Sequence, residues 1–257
     1  MKSKYLCLFV GRGQMVVKTS ADAPALPTLD ELADSLPAGT KTITVHTGEA
    51  DIEAAHLPQW QSANPEFSAE DFRPLFLTMP HPAFAAACKA KQMVFWDEQS
   101  RFCPECGSPL QPLTDISKKC PECGHETYPP ISPAIIVRVE RGQDEILMVR
   151  ARNFRDDHYG LVAGFVEVGE SLEECVRREV REETGLEITD IKYWGSQPWP
   201  FPSGLMVGFV AQYAGGQIKI QQEELIDARF FRRGQLPALP GKMSIARQLI
   251  DEWTGQP

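Results

Sequence analysis

The sequence predicts a multi-domain α+β chain with a small N-terminal α+β domain over 1–98, a cysteine-rich segment over 99–129 and a C-terminal α/β domain over 130–257. Three observations carry that division. Short alternating runs and one helical stretch occupy the first part. Two Cys-x-x-Cys pairs occupy the second. In the third, apolar strands flank a strongly acidic helical segment. At 257 residues, 42% apolar and 24% charged, the chain has the length and composition for such parts.

Residues 1–98 show no chemistry. Leu6–Val17 reads as a strand pair turning at Gly11-Arg12-Gly13, Asp22–Leu29 as a Pro-rich connector, and Lys41–His46 as a strand. Pro80-His81-Pro82 precedes a helix over Ala83–Asp97. His46, His56 and His81 lack ligand-like spacing and are read as structural or surface residues. The apolar run Tyr5–Val10 is too short for a secretory segment. No apolar stretch approaches the roughly 18 residues a membrane span needs. The expectation is a soluble, cytoplasmic protein with no membrane partner.

Over 99–129, Cys103-Pro-Glu-Cys106 is followed after thirteen residues by Cys120-Pro-Glu-Cys123, with Gly107 and Gly124 next to the two pairs. Two knuckles at this separation predict a four-thiolate zinc ribbon, Cys103, Cys106, Cys120 and Cys123 holding one structural Zn²⁺ per chain. A redox pair needs a single Cys-x-x-Cys in a βαβ setting, which is not the pattern. The segment has too few apolar residues for a core, whereas a structural zinc supplies about 10–16 kcal/mol of apparent binding energy. Cys7, Cys88 and Cys175 are isolated and read as reduced core residues.

Net charge is −9: eight Lys/Arg against twelve Asp/Glu over 1–98, three against four over 99–129, and fifteen against nineteen over 130–257. No part is basic, so nothing resembles a surface for duplex nucleic acid. Lys118-Lys119 is the ribbon's basic cluster, and the ribbon is read as a brace between domains.

In the third part, Ala134–Val139 and Glu145–Arg150 read as strands, as do Met206–Tyr213 and Gln217–Ile220 about a turn at Gly215-Gly216, and Ser244–Trp253 as a helix. Between them, Ser171-Leu-Glu-Glu174 is a capping box, and Gly185 suits the C′ position of a helix ending near Thr184. The ordinary reading of Arg178-Glu-Val-Arg-Glu-Glu183 is a solvated face laced with ion pairs. Spacing tests it. Glu174, Arg178 and Glu182 are i,i+4 neighbours, as are Glu173 and Arg177. Glu179 and Glu183 have no basic residue at i±3 or i±4, yet adjoin the apolar stripe Leu172, Val176, Val180. Carboxylates held together without a counter-ion point to a divalent metal, with oxygen ligands suited to Mg²⁺ or Mn²⁺.

Gly164-x₅-Glu170-x₇-Arg178-Glu179-Val180-x-Glu182-Glu183-x-Gly185-Leu186 resembles the Nudix box at every specified position. The resemblance implies a C-terminal Nudix α/β/α sandwich with Glu179, Glu182 and Glu183 at the metal site and Arg178 steadying the box. It also implies Glu224 as a further metal or base residue, the alternative being a surface acidic pair with Glu223. Ser196-Gln-Pro-Trp-Pro-Phe-Pro202 holds its aromatics on a stiff extended backbone that suits neither a helix nor a central strand. It reads as a rigid loop packed on the core or as a stacking platform for a base or nicotinamide ring.

That heptad, with the zinc ribbon, is similar to the NADH pyrophosphatase branch of the Nudix family. The branch implies hydrolysis of NAD(H) to NMN(H) and AMP, removal of NAD caps from RNA 5′ ends to leave 5′-monophosphates, and a cytoplasmic homodimer. Metal ligands are implied at Ala163 (backbone oxygen), Glu179, Glu183 and Glu224. Ring contacts are implied at Tyr128, Phe165 and Trp199, the last reaching the partner's site. Gln197, Pro198, Trp199, Pro200, Phe201, Pro202, Ser203 and Gly204 would line the substrate, with Ala246, Arg73 and Asp115 further contacts. The family has a serine where this chain has Gly204, so either Ser203 replaces that contact or one hydrogen bond is lost. Rival readings are a hydrolase of ADP-ribose or dinucleoside polyphosphates, a non-catalytic dinucleotide sensor, which would have lost box glutamates, and an RNA-binding scaffold, which the acidic ribbon disfavours.

Overall fold

The structure, a computed structural model, describes residues 4–20, 22–48, 50–154 and 157–255. It divides into two compact units, Met1–Pro130 with Pro200–Ser203, and Ile131–Trp199 with Gly204–Pro257.

In the first unit, β1 (Leu6–Val10) and β2 (Gln14–Lys18) form the expected hairpin, and β3 (Ile43–His46), β4 (Asp51–Leu57) and β5 (Phe67–Asp71) complete a sheet ordered β3-β4-β1-β2-β5. Alternation along β1 sends Leu6, Leu8 and Val10 to one face and Cys7 and Phe9 to the other. The short helix α1 (Leu29–Leu32) covers the first face with Leu29 and Leu32. A one-turn helix, α2 (Phe72–Leu75), and the long α3 (His81–Gln99) cover the second.

The ribbon strands β6 (Gln111–Thr114), β7 (Ser117–Lys119) and β8 (Glu126–Thr127) follow in the same unit. Lys118 fastens them to α3. Its buried ammonium donates to Asp97 O at 2.9 Å and Ser100 O at 3.1 Å, pairs with the Asp97 carboxylate at 2.7 Å, and lies over the Trp96 ring. Lys118 is therefore spent on capping a helix C-terminus, and the basic cluster seen in sequence does not present two free cations.

In the second unit, β9 (Ser132–Arg141), β10 (Glu145–Ala151), β11 (Val162–Phe165), β12 (Leu186–Trp199), β13 (Gly204–Gly216) and β14 (Leu225–Arg232) form a sheet ordered β12-β13-β9-β10-β14, with β11 on β9. The helix α4 (Leu172–Thr184) packs Cys175, Val176 and Val180 against Ile135, Val137 and Val139 of β9. The helix α5 (Ile245–Thr254) packs Ile245, Leu249, Ile250 and Trp253 on the opposite face against Ile136, Ile146 and Met148. The layers are those of an α/β/α sandwich, and the central parallel pair β9–β13 is buried on both faces.

Two local expectations are corrected. Gly215 and Gly216 are no hairpin turn: they pair with Glu187 and Leu186 of β12, and 217–220 is irregular. The amides of Lys219 and Gln221 instead donate to the last carbonyls of α4, at Thr184 and Glu183. The proline heptad is no free loop. Ser196–Trp199 ends β12, Trp199 pairs with Gly204, and only 200–203 turn. Because β12 is the edge of the sheet, Pro198 is tolerated there without an amide hydrogen.

Candidate active site

The acidic helix begins as its capping box requires. The Ser171 hydroxyl accepts from the Glu174 amide at 3.3 Å, and the Glu174 carboxylate accepts from the Ser171 amide at 2.8 Å. Glu174 is thus committed to the cap and makes no ion pair with Arg178, correcting one of the i,i+4 pairs. Gly185 closes the helix at φ 71°, a left-handed position that favours glycine.

Arg178 is the organising cation. Its guanidinium forks onto Glu170 (Nε to Oε1 2.8 Å, Nη2 to Oε2 2.9 Å) and donates to Phe165 O at 2.9 Å. Nη1 reaches Glu179 at 2.8 Å and Glu182 at 3.1 Å. Glu170 consequently sits at about 2, far below the usual carboxylate range. The Glu182 pair was legible from spacing, but the Glu179 contact was not. A guanidinium turned toward Glu170 also crosses its sequence neighbour, so Glu179 is not uncompensated.

Glu183 is. The residue is 5% exposed, and no hydrogen-bond donor or cation meets its carboxylate among the described residues. Burial, then the charges of Glu179 and Glu224, push its carboxyl up to about 8. Glu179, 8% exposed, is also raised by burial, against the pull of Arg178. Glu224, exposed on the turn before β14, acts electrostatically on both and so belongs to the same cluster.

The strand β11 supplies the floor. A Cβ on Gly164 would lie 2.0 Å from Cδ and Oε1 of Glu179, so only glycine lets that carboxylate rest on the backbone beside Ala163. Phe165, one residue on, is 61% exposed. Ala163, Gly164, Phe165, Arg178, Glu179, Glu182, Glu183 and Glu224 are thereby brought into one place. Ala246, on the first turn of α5, is partly buried and packs against the core beneath that helix. Gln197 is occupied: its amide nitrogen donates to Met243 O at 3.0 Å and its oxygen accepts from the Ile245 amide at 2.9 Å, capping α5. At Gly204 a Cβ would lie 2.9 Å from Trp199 O, so this tight closure leaves no room for the family's serine.

Of the remaining sequence-derived contacts, Pro198 and Trp199 end β12 in the second unit, and Arg73, Asp115, Tyr128 and 200–203 lie in the first. The Phe201 ring packs on Phe72 (centroids 5.9 Å), and Arg73 lies over it at 4.7 Å. Tyr128, 56% exposed, donates to Glu126 at 3.1 Å, and Asp115 meets His46 at 3.3 Å.

The four cysteines form the ribbon's zinc site. Their sulfurs all lie within 4.8 Å of one another, the facing pairs Cys103/Cys123 at 3.5 Å and Cys106/Cys120 at 3.4 Å. Tetrahedral Zn–S bonds of about 2.3 Å place sulfurs about 3.8 Å apart, so the cradle fits the ion. The amide and hydroxyl of Ser108 hold the Cys106 thiol down to about 6, whereas burial and the neighbouring sulfurs push Cys123 up to about 12, so the cluster holds protons that zinc binding would release. Among the described residues this is the one group of three or more metal-ligating side chains gathered so closely. The carboxylates stand further apart.

Comparison with known proteins agrees with this geometry. Residues 130–253 match the NUDIX domain, 98–128 the NADH pyrophosphatase zinc ribbon domain, and 4–96 the NADH pyrophosphatase-like rudimentary NUDIX domain. The last match was missed in the sequence because no box marks that region. A Pseudomonas fluorescens (strain Pf0-1) protein named NAD-capped RNA hydrolase NudC is 40% identical over 81% of this chain and 76% of its own. Proteins of the same name from Pseudomonas aeruginosa (strain LESB58) and Stutzerimonas stutzeri (strain A1501) are 47% and 51% identical, over 69% and 63% of this chain and 65% and 59% of their own. With three matched segments in order, the chain belongs to the NADH pyrophosphatase branch of the Nudix hydrolase family.

Proposed function

We propose that the chain hydrolyses the pyrophosphate bond of NAD(H), giving NMN(H) and AMP, and removes NAD caps from RNA 5′ ends, leaving 5′-monophosphate RNA. The observation that carries the reading is Glu183, a buried carboxylate with no cation, inside a complete box and within electrostatic reach of Glu179 and Glu224. The donor set, three carboxylates and one carbonyl oxygen, suits Mg²⁺ or Mn²⁺, with Glu179, Glu183, Glu224 and the Ala163 carbonyl as ligands. When bound, the divalent ion neutralises pyrophosphate oxygens and acidifies the attacking water.

The chain's own residues do the rest. Arg178 fixes the rotamers of Glu179 and Glu182 and ties α4 to β11 through Phe165 O, so the carboxylates are presented on rigid elements. Glu224, on the solvent side, orients or deprotonates the water. Phe165 offers an exposed ring for stacking, and Tyr128 and Trp199 are assigned the same role. Arg73, Asp115, Gln197–Gly204 and Ala246 are assigned to the substrate by family likeness, although Gln197 and Phe201 already have protein partners. The same likeness supports a cytoplasmic homodimer with Trp199 contributed across it. No helix among the described residues is long and apolar enough to cross a membrane.

The test is a product assay with Mg²⁺ or Mn²⁺ on NADH, ADP-ribose and NAD-capped RNA, comparing wild type with Glu183→Gln. NMNH with AMP, and 5′-monophosphate RNA, are expected from wild type only. Preference for ADP-ribose, or release of inorganic phosphate alone, would overturn the substrate; equal turnover by the variant would overturn the role of Glu183.

A further inference from the structure

The carboxylate of Glu224 stands on an exposed turn, and a group on such a turn serves a reaction only if the turn is held. Most of the holding bonds are main-chain. The Lys219 and Gln221 amides donate to Thr184 O at 2.8 Å and Glu183 O at 3.0 Å, placing the turn at the last turn of α4. The Glu224 and Leu225 amides return to Gln221 O at 3.1 and 2.9 Å.

On the other side stands Arg152, directly after β10. The β10–β14 ladder shifts register between Arg150 and Ala151, and Arg152 then leaves it to face the turn. Its amide donates to Glu224 O at 2.8 Å, and its guanidinium Nε donates to Gln222 O. One residue thus grips the turn at two carbonyls, and its side-chain bond can be removed without touching the backbone.

We propose that Arg152 is a positioning residue for hydrolysis, its paired amide and guanidinium donors fixing the Gln221–Glu224 turn so that the Glu224 carboxylate stays beside Glu183. The inference rests on the assignment of Glu224 above. Without the guanidinium bond the side of the turn away from α4 keeps only the Arg152 amide, and displacements near 1 Å cost catalysis heavily.

The test uses the full chain as Arg152→Ala, Arg152→Lys, Glu224→Gln and the Arg152→Ala/Glu224→Gln double variant. Steady-state kinetics on NADH with Mg²⁺ are paired with amide hydrogen exchange over 222–225, measured without substrate. Arg152→Ala should lower kcat about 10- to 100-fold with KM changed less than about twofold, and speed exchange of the Glu224 and Leu225 amides. Arg152→Lys should recover part of both, and Arg152→Ala should add less than about twofold in the Glu224→Gln background. Unchanged exchange and kcat, a change in KM alone, or an undiminished effect in that background would each overturn the proposal while an impaired Glu224→Gln left Glu224's assignment standing. Wild-type turnover by Glu224→Gln would overturn both.

Discussion

In the N-terminal unit the strands lie in the order β3-β4-β1-β2-β5, and in the C-terminal unit β12-β13-β9-β10-β14. The correspondence extends to direction: β1 is parallel to β4 as β9 is to β13, and the three remaining pairs are antiparallel in both. Each unit also opens a helix with a capping box after its first hairpin, Thr28/Glu31 in one and Ser171/Glu174 in the other. There the two part. The first helix ends after Leu29–Leu32, passing through a 3₁₀ turn to Pro37, whereas α4 runs thirteen residues. Glu179 and Glu183 stand eight and twelve residues past their cap; the same steps from Thr28 reach Leu36 and Thr40, beyond the helix and without carboxylates. The sheet survives without the chemistry because its core needs only alternating apolar strands. The chemistry needs three turns of helix to stack carboxylates on one face.

The largest expected effect comes from Glu183→Gln, which removes what the first unit never had. Hydrolysis of NADH should fall roughly 1,000-fold. Stability should move the other way. The carboxyl ionises at 4.5 when unfolded and at about 8 when folded, so the native state holds the extra proton and loses stability as pH rises through that window. In chelator at pH 8 the variant should therefore melt several degrees above wild type, and near pH 4 the two should coincide; a lower melting point at pH 8 would refute the burial argument.

The N-terminal unit keeps a metal of another kind, closed by four thiolates. Cys103→Ser should drop zinc content from one per chain toward none and release the ribbon's amides to rapid exchange, while β9–β14 stay protected. Zinc retained at full stoichiometry would break the comparison.

Glycines sharpen it further. Gly164→Ala forces a Cβ into the Glu179 carboxylate and should cost roughly 100-fold in kcat with little change in fold by circular dichroism. Gly13→Ala, where a Cβ meets nothing within 4 Å, should be silent in the same assays. The smallest effects belong to the caps. Ser171→Ala and Thr28→Ala should each cost about 1 kcal/mol in denaturant melts, but only Ser171→Ala should also lower turnover.

Much of this was legible in the residues. Short strand-like runs marked β1 and β2, an apolar run marked β9, the knuckle spacing marked the zinc site, and the capping box with Gly185 marked the ends of α4. The Glu182–Arg178 pair followed from i,i+4 spacing, and the isolation of Glu183 from the absence of a basic neighbour. The strand β12 was harder to see, because its bulges break the alternation and its prolines mimic a loop. Residues 217–220 alternate like a strand, but their amides are claimed by carbonyls of α4. The Nudix-like first unit carried no motif, since the feature it shares with the second is strand order, which no local pattern encodes.

The sequence by itself determined the periodic elements, the thiolate set and the acidic helix, because each depends on spacing along a few turns of chain. Only the tertiary structure decided that Arg178 would reach Glu179, that Gly164 would lie under that carboxylate, that Lys118 would be buried, and that Arg152 would grip the turn of Glu224. Those outcomes depend on which groups meet across β11, α4 and the end of β10 and, for Lys118, at the end of α3. Contacts between residues distant in sequence are set by packing, and packing is a property of the whole fold.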